Sequence, residues 1–98
     1  MSDAQQQAKQ LIEQIKSTEN PEGFPLLLQS LEQALSSIHV SDPSHTDLLL
    51  ETGEALTDKG QYPDADRLLQ RAFDQAEASK LKGRQSLALG LQADIFRA

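Results

Sequence analysis

The pentapeptide Ser41-Asp42-Pro43-Ser44-His45 puts hydroxyl, carboxylate and imidazole groups within five positions. These are the groups of a nucleophilic triad, in which a base takes the hydroxyl proton and a carboxylate orients the base. Triad members are brought together by a fold and held in a pocket, whereas Asp-Pro-Ser is ordinary turn and helix-cap chemistry. The spacing favours a helix start, and we assign no catalytic residue. His39 and His45 would supply two ligands to a metal, but there is no convincing third, so a solvated or capping role is expected for both, and no metal. Gly53, Gly60, Gly83 and Gly90 are scattered rather than gathered into a phosphate-binding loop. Lys80 to Arg84, KLKGR, is a short basic cluster suited to the end of a helix. None of these groups implies a cofactor.

The chain as a whole narrows the classes further. At 98 residues it is a single domain, and a domain of this size buries only roughly 60–70% of the surface its unfolded chain exposes. A formal charge of −6 argues against nucleic acid or an anionic membrane as partner, since both require clustered Lys and Arg. The absence of cysteine removes disulfides, thiolate metal sites and thiol nucleophiles together, and suits a reducing compartment. The first residues, MSDAQQQAKQ, have no apolar signal core, and no apolar run approaches a membrane span. The expectation is a soluble cytoplasmic protein.

The chain is rich in Leu, Ala, Gln and Glu, and the spacing of its apolar residues predicts five helices and no strand. Ser2 or Asp3 caps the first, whose apolar residues Ala4, Ala8, Leu11, Ile12 and Ile15 recur at three and four. The second begins near Phe24 with Pro25 in its first turn, where a missing N–H costs nothing. The third starts around Ser44 to Thr46 and stops at Gly60. Tyr62-Pro63 opens the fourth, and the fifth runs from about Arg84 to the end.

The second and fourth helices echo each other. Tyr62-Pro63 aligns on Phe24-Pro25, Leu69 on Leu31 and Ala72-Phe73 on Ala34-Leu35, at a constant separation of 38 residues. The same register carries Leu49 and Gly53 onto Leu11 and Ile15, and Leu89, Ala93 and Phe96 fall on Leu49, Gly53 and Leu56 at a separation of 40. Repetition on this scale marks stacked helical hairpins. Repeat one spans about 3–38, repeat two about 44–79, and a half repeat about 84–98.

These residues resemble the tetratricopeptide repeat. Gly53 stands where helix packing favours a small residue, Leu56 where a large apolar one is usual and Gly60 at the turn, followed by Tyr62, Ala65, Leu69 and Ala72. YPDADRLLQRAF is similar to the longer repeats of kinesin light chains and bacterial relatives, and DPSHTDLL resembles their lead-in. The first unit departs from the pattern, with Ile15 at the small position and Leu27 in place of the Ala65 equivalent. The resemblance implies an all-α, five-helix antiparallel array in a right-handed superhelix, about two and a half repeats long. It also implies a non-catalytic protein-interaction module or scaffold rather than an enzyme.

In that family the first helix of each hairpin lines a concave groove for a partner's peptide or helix. The resemblance places Ile12, Glu13 and Lys16, then Asp47, Leu50, Glu51, Glu54 and Asp58, then Leu91 and Asp94, along such a groove. On the third helix the spacing of Asp47, Leu50 or Glu51, Glu54 and Asp58 agrees with one common face. The same residues would equally form the solvated side of an amphipathic helix, though a leucine amid carboxylates favours a site. The family's groove for the C-terminal carboxylate of heat-shock chaperones uses Lys, Arg and Asn. Here Ile12, Leu50 and Glu54 occupy the corresponding places, so the expected partner is instead an apolar protein segment with basic flanks. The alternative function is self-association. The fifth helix has two apolar sectors, one of Leu87, Ala88, Leu91 and Ile95 and another of Leu89, Ala93 and Phe96, of which the preceding hairpin covers one. Leu87, Leu91 and Ile95 are the expected contacts of a weak homodimer or of packing on a neighbouring domain.

Overall fold

The computed structural model describes residues 3–39 and 42–97. Ser2 and Ser41, named above as cap and triad candidates, lie outside them. The chain forms α1 (Asp3–Ser17), a 3-10 turn (Pro21–Gly23), α2 (Phe24–Ser36), α3 (Pro43–Asp58), α4 (Tyr62–Ala78) and α5 (Lys82–Arg97), with no strand among the described residues. The domain is an all-α helical array.

Phe24 and Tyr62 open α2 and α4 as the echo predicts, each with proline in the first turn. Two boundaries differ from expectation. α3 starts at Pro43 because the Asp42 carboxylate caps it, Oδ1 accepting the Ser44 N–H at 2.9 Å. α5 starts at Lys82, two residues early, because the α4–α5 turn closes tightly. There the Leu81 N–H bonds to Ala76 O at 2.7 Å and the Lys80 N–H to Glu77 O at 3.2 Å. The α3–α4 turn has the same pair, Gln61 N–H to Leu56 O at 2.9 Å and Gly60 N–H to Thr57 O at 3.0 Å. Both are Schellman endings, which require a left-handed residue after the cap. Gly60 supplies it at φ +77°, and Lys80 does so at φ +60° despite its side chain.

Packing follows the chain order in two layers. α1 lies against α2 and α3, α3 against α4, and α5 against both α3 and α4. α2 also reaches α4 through Glu32, whose Oε1 holds Arg67 at 2.6 Å and Arg71 at 3.4 Å. The slab measures 37 × 35 × 15 Å, the short dimension matching two layers of helices. Its core runs from Ala8, Ile12 and Ile15 through Leu31 and Leu35 to Leu49, Leu56, Leu68 and Leu69. Gly53 marks the tightest crossing, where a Cβ would stand 2.5 Å from Leu69 Cδ2, and Ala65 and Ala72 on α4 are fully buried. In the first hairpin Ile15 takes the small position and is fully buried, while Leu27 is only half-buried, so the two hairpins do not pack identically. No helix among the described residues is long and apolar enough to cross a membrane.

Candidate functional site

α3 is surrounded on three sides, and what remains exposed is decided by its neighbours. Leu69 of α4 sits over Gly53. Arg84 of α5 grips Asp47, Nε to Oδ1 at 2.6 Å and Nη2 to Oδ2 at 3.0 Å. On the α1 side, Gln5 and Lys9 face Ser44, Asp47, Leu48 and Glu51 across a cleft of about 200 Å³. The strip left in solvent carries Glu51, Glu54 and Asp58, with half-buried Asp47 at its head. At 100° per residue these four fall within an arc of about 60°. Glu51, Glu54 and Asp58 have no cationic partner among the described residues.

The residues expected in a groove therefore divide. Glu51, Glu54 and Asp58 stand together on the strip, and Asp47 is engaged by Arg84. The fork-to-carboxylate geometry favours the charged guanidinium and raises its pKa, first through the hydrogen bonds and then through charge attraction. Glu13 and Lys16 are exposed on α1 and pair with each other at 3.5 Å. Asp94 is exposed and Leu91 half-buried on α5. Ile12 and Leu50 are not groove residues: they are 1% and 4% exposed and belong to the core. Leu50 lies at the margin of the polar strip but is buried in the core, so its cover comes from within the molecule.

On α5 the covered sector is the one containing Ala88, Leu91 and Ile95, which pack on the core. Of the residues expected in self-association, only Leu87 is largely exposed. Leu89 and Phe96 are the other large apolar side chains that α5 leaves open. With Ala93, Gln92, Asp66 and Gln70 they line a second groove along the α4–α5 seam. Gln92 Nε2 spans that seam, donating to Asp66 Oδ1 at 3.2 Å and Gln70 Oε1 at 3.0 Å.

His45 is a correction. Expected in a solvated or capping role, it is buried in the first turn of α3, where Nδ1 donates to Gln75 Oε1 on α4 at 2.9 Å. An amide oxygen only accepts, so Nδ1 carries the proton. The Thr46 hydroxyl donates to the same oxygen at 3.4 Å. Burial lowers the His45 pKa, the Gln75 bond opposes that shift, and Arg71 and Asp42 act in opposite directions. Asp42 is occupied as a helix cap and His45 by Gln75, so the two do not form the base and orienting carboxylate of a triad. His39 is exposed. No group of three metal-ligating side chains occurs among the described residues. Gln75 was invisible to sequence reasoning because its partner lies 30 residues away.

No known protein family, curated protein or solved structure matches this chain.

Proposed function

We propose that the chain is a tetratricopeptide-like, non-catalytic interaction module of the cytoplasm, and that it holds a basic segment of a partner protein along the exposed strip of α3. The observation that carries this reading is the strip itself. α1, α4 and α5 pack around the rest of α3, yet Glu51, Glu54 and Asp58 stand in one row with no cationic partner among the described residues. The repeated hairpin starts at Phe24 and Tyr62 and the tight Gly53 crossing support the repeat resemblance. With Ile12 and Leu50 in the core, the row offers little apolar floor, so the partner's Lys and Arg supply most of its recognition. Lys9 and Lys16 on the α1 edge tolerate an acidic residue on one side of such a segment.

Glu51→Lys combined with Glu54→Lys tests the reading. Both positions are exposed, so folding is kept. Binding of a lysine-rich helical peptide should weaken by about tenfold or more at low salt, with most of the difference vanishing near 1 M salt, where the screening length is about 3 Å. Titration calorimetry at several salt concentrations measures this. Equal affinity of the variant and the original chain at low salt would overturn the proposal.

A further inference from the structure

The face that α5 turns to solvent repeats a face that is covered by a helix elsewhere in the molecule. On α3, Leu49, Gly53 and Leu56 form the row on which α4 sits. All three are buried, and Leu69 lies directly over the glycine. On α5 the same spacing of four and three residues gives Leu89, Ala93 and Phe96, again with the small residue in the middle. Among the described residues nothing closes over the ends of this second row: Leu89 is 53% exposed and Phe96 81%. With Asp66, Gln70 and Gln92 it lines an open, shallow groove of about 390 Å³.

We infer that the α4–α5 groove is a docking site for one amphipathic helix of a partner protein, with an apolar row spaced as in α4 and Lys or Arg on its flanks. The register defines the shape, because α4 already shows what kind of element fits this row. Charge defines the flanks. Asp66 on the α4 rim has one oxygen engaged by Gln92 but no cationic partner among the described residues. A second copy of this chain fits less well. Each copy carries a charge of −6, so two such faces repel one another.

The test uses two synthetic peptides. One has the sequence of residues 62–78, and the other the same sequence with lysine replacing Gln70, Asp74 and Glu77, all exposed on α4. Each is titrated into the ¹⁵N-labelled full chain. Saturable amide shifts are expected at Leu89, Gln92, Ala93 and Phe96 and on the facing turn of α4, with the lysine peptide binding about fivefold more tightly at low salt. Leu89→Glu and Phe96→Glu should each abolish the shifts while helix content is unchanged. Glu51→Lys with Glu54→Lys should leave them within about twofold, which separates this groove from the α3 strip. Absence of saturable shifts at Leu89, Gln92, Ala93 and Phe96 at millimolar peptide would overturn the inference, as would shifts centred on α3 with the unsubstituted peptide. So would shifts at Leu89 and Phe96 that follow protein concentration without peptide, because these would assign the face to a second copy.

Discussion

Gly53→Ala, alone and combined with Leu69→Ala, tests the crossing of α3 and α4. An added Cβ would stand 2.5 Å from Leu69 Cδ2 and 2.6 Å from Cγ, and Leu69 is fully buried, so its isobutyl group has no open direction in which to yield. Overpacking of this kind costs about 1–3 kcal/mol. Replacing a helical glycine with alanine returns about 1 kcal/mol of backbone entropy, so the single variant should lose about 0–2 kcal/mol. Leu69→Ala alone empties a core position and should cost about 2–5 kcal/mol. In the double variant the new methyl enters the vacated space without a clash. The pair should therefore be less destabilising than the sum of the singles by about 1–3 kcal/mol. Urea unfolding of the four proteins, followed by far-UV circular dichroism, gives each term provided the m-values agree. If the two changes add within about 0.5 kcal/mol, the helices do not meet as described, and the packing argument for the repeat fails with them.

Lys80→Gly should raise stability by about 1 kcal/mol in the same assay, because lysine now bears the left-handed conformation that Gly60 adopts freely in the equivalent turn. Gly60→Ala should lower it by a similar amount. For the clasp between α3 and α5, a double-mutant cycle on Asp47→Ala and Arg84→Ala should give a coupling of only about 0.5–1 kcal/mol, since both side chains are more than a third exposed. His45 sets a pH dependence. Its pKa is lowered in the folded state, so the unfolded chain binds the proton more readily. The contribution of His45 is complete above the ordinary value of 6.5 and declines as pH falls below it toward the lowered folded value. His45→Gln should flatten the fall in urea midpoint between about pH 7 and pH 5.

How much of this could be read from the sequence depends on where each residue's partner lies. The starts at Phe24 and Tyr62 were legible because the deciding features, a preceding turn and a proline in the first helical turn, are local. The Asp42 cap was misplaced by two to four residues because Ser44 and Thr46 are equally good caps on paper. Leu50 and His45 failed for a different reason. Each lies near the edge of a polar segment, and each is buried by an element outside its own helix. His45 waits on Gln75 of α4, and Leu50 belongs to a core shared by all five helices.

The placement of α5 was the step that no local pattern could supply. Its two apolar sectors are equally visible in the sequence, and the choice between them depends on the angle at which the helix settles on α3 and α4. Two long-range contacts fix that rotation, Arg84 to Asp47 across 37 positions and Gln92 to Asp66 and Gln70 on the opposite flank. Once both are made, Ala88, Leu91 and Ile95 turn inward and Leu89 and Phe96 turn out. Polar contacts to both neighbouring helices thus accompany the burial of one of the two hydrophobic stripes. Hydrogen bonds and ion pairs of this exposure contribute little to stability. Their larger effect is on orientation, because rotating α5 by the width of one stripe would break both sets at once.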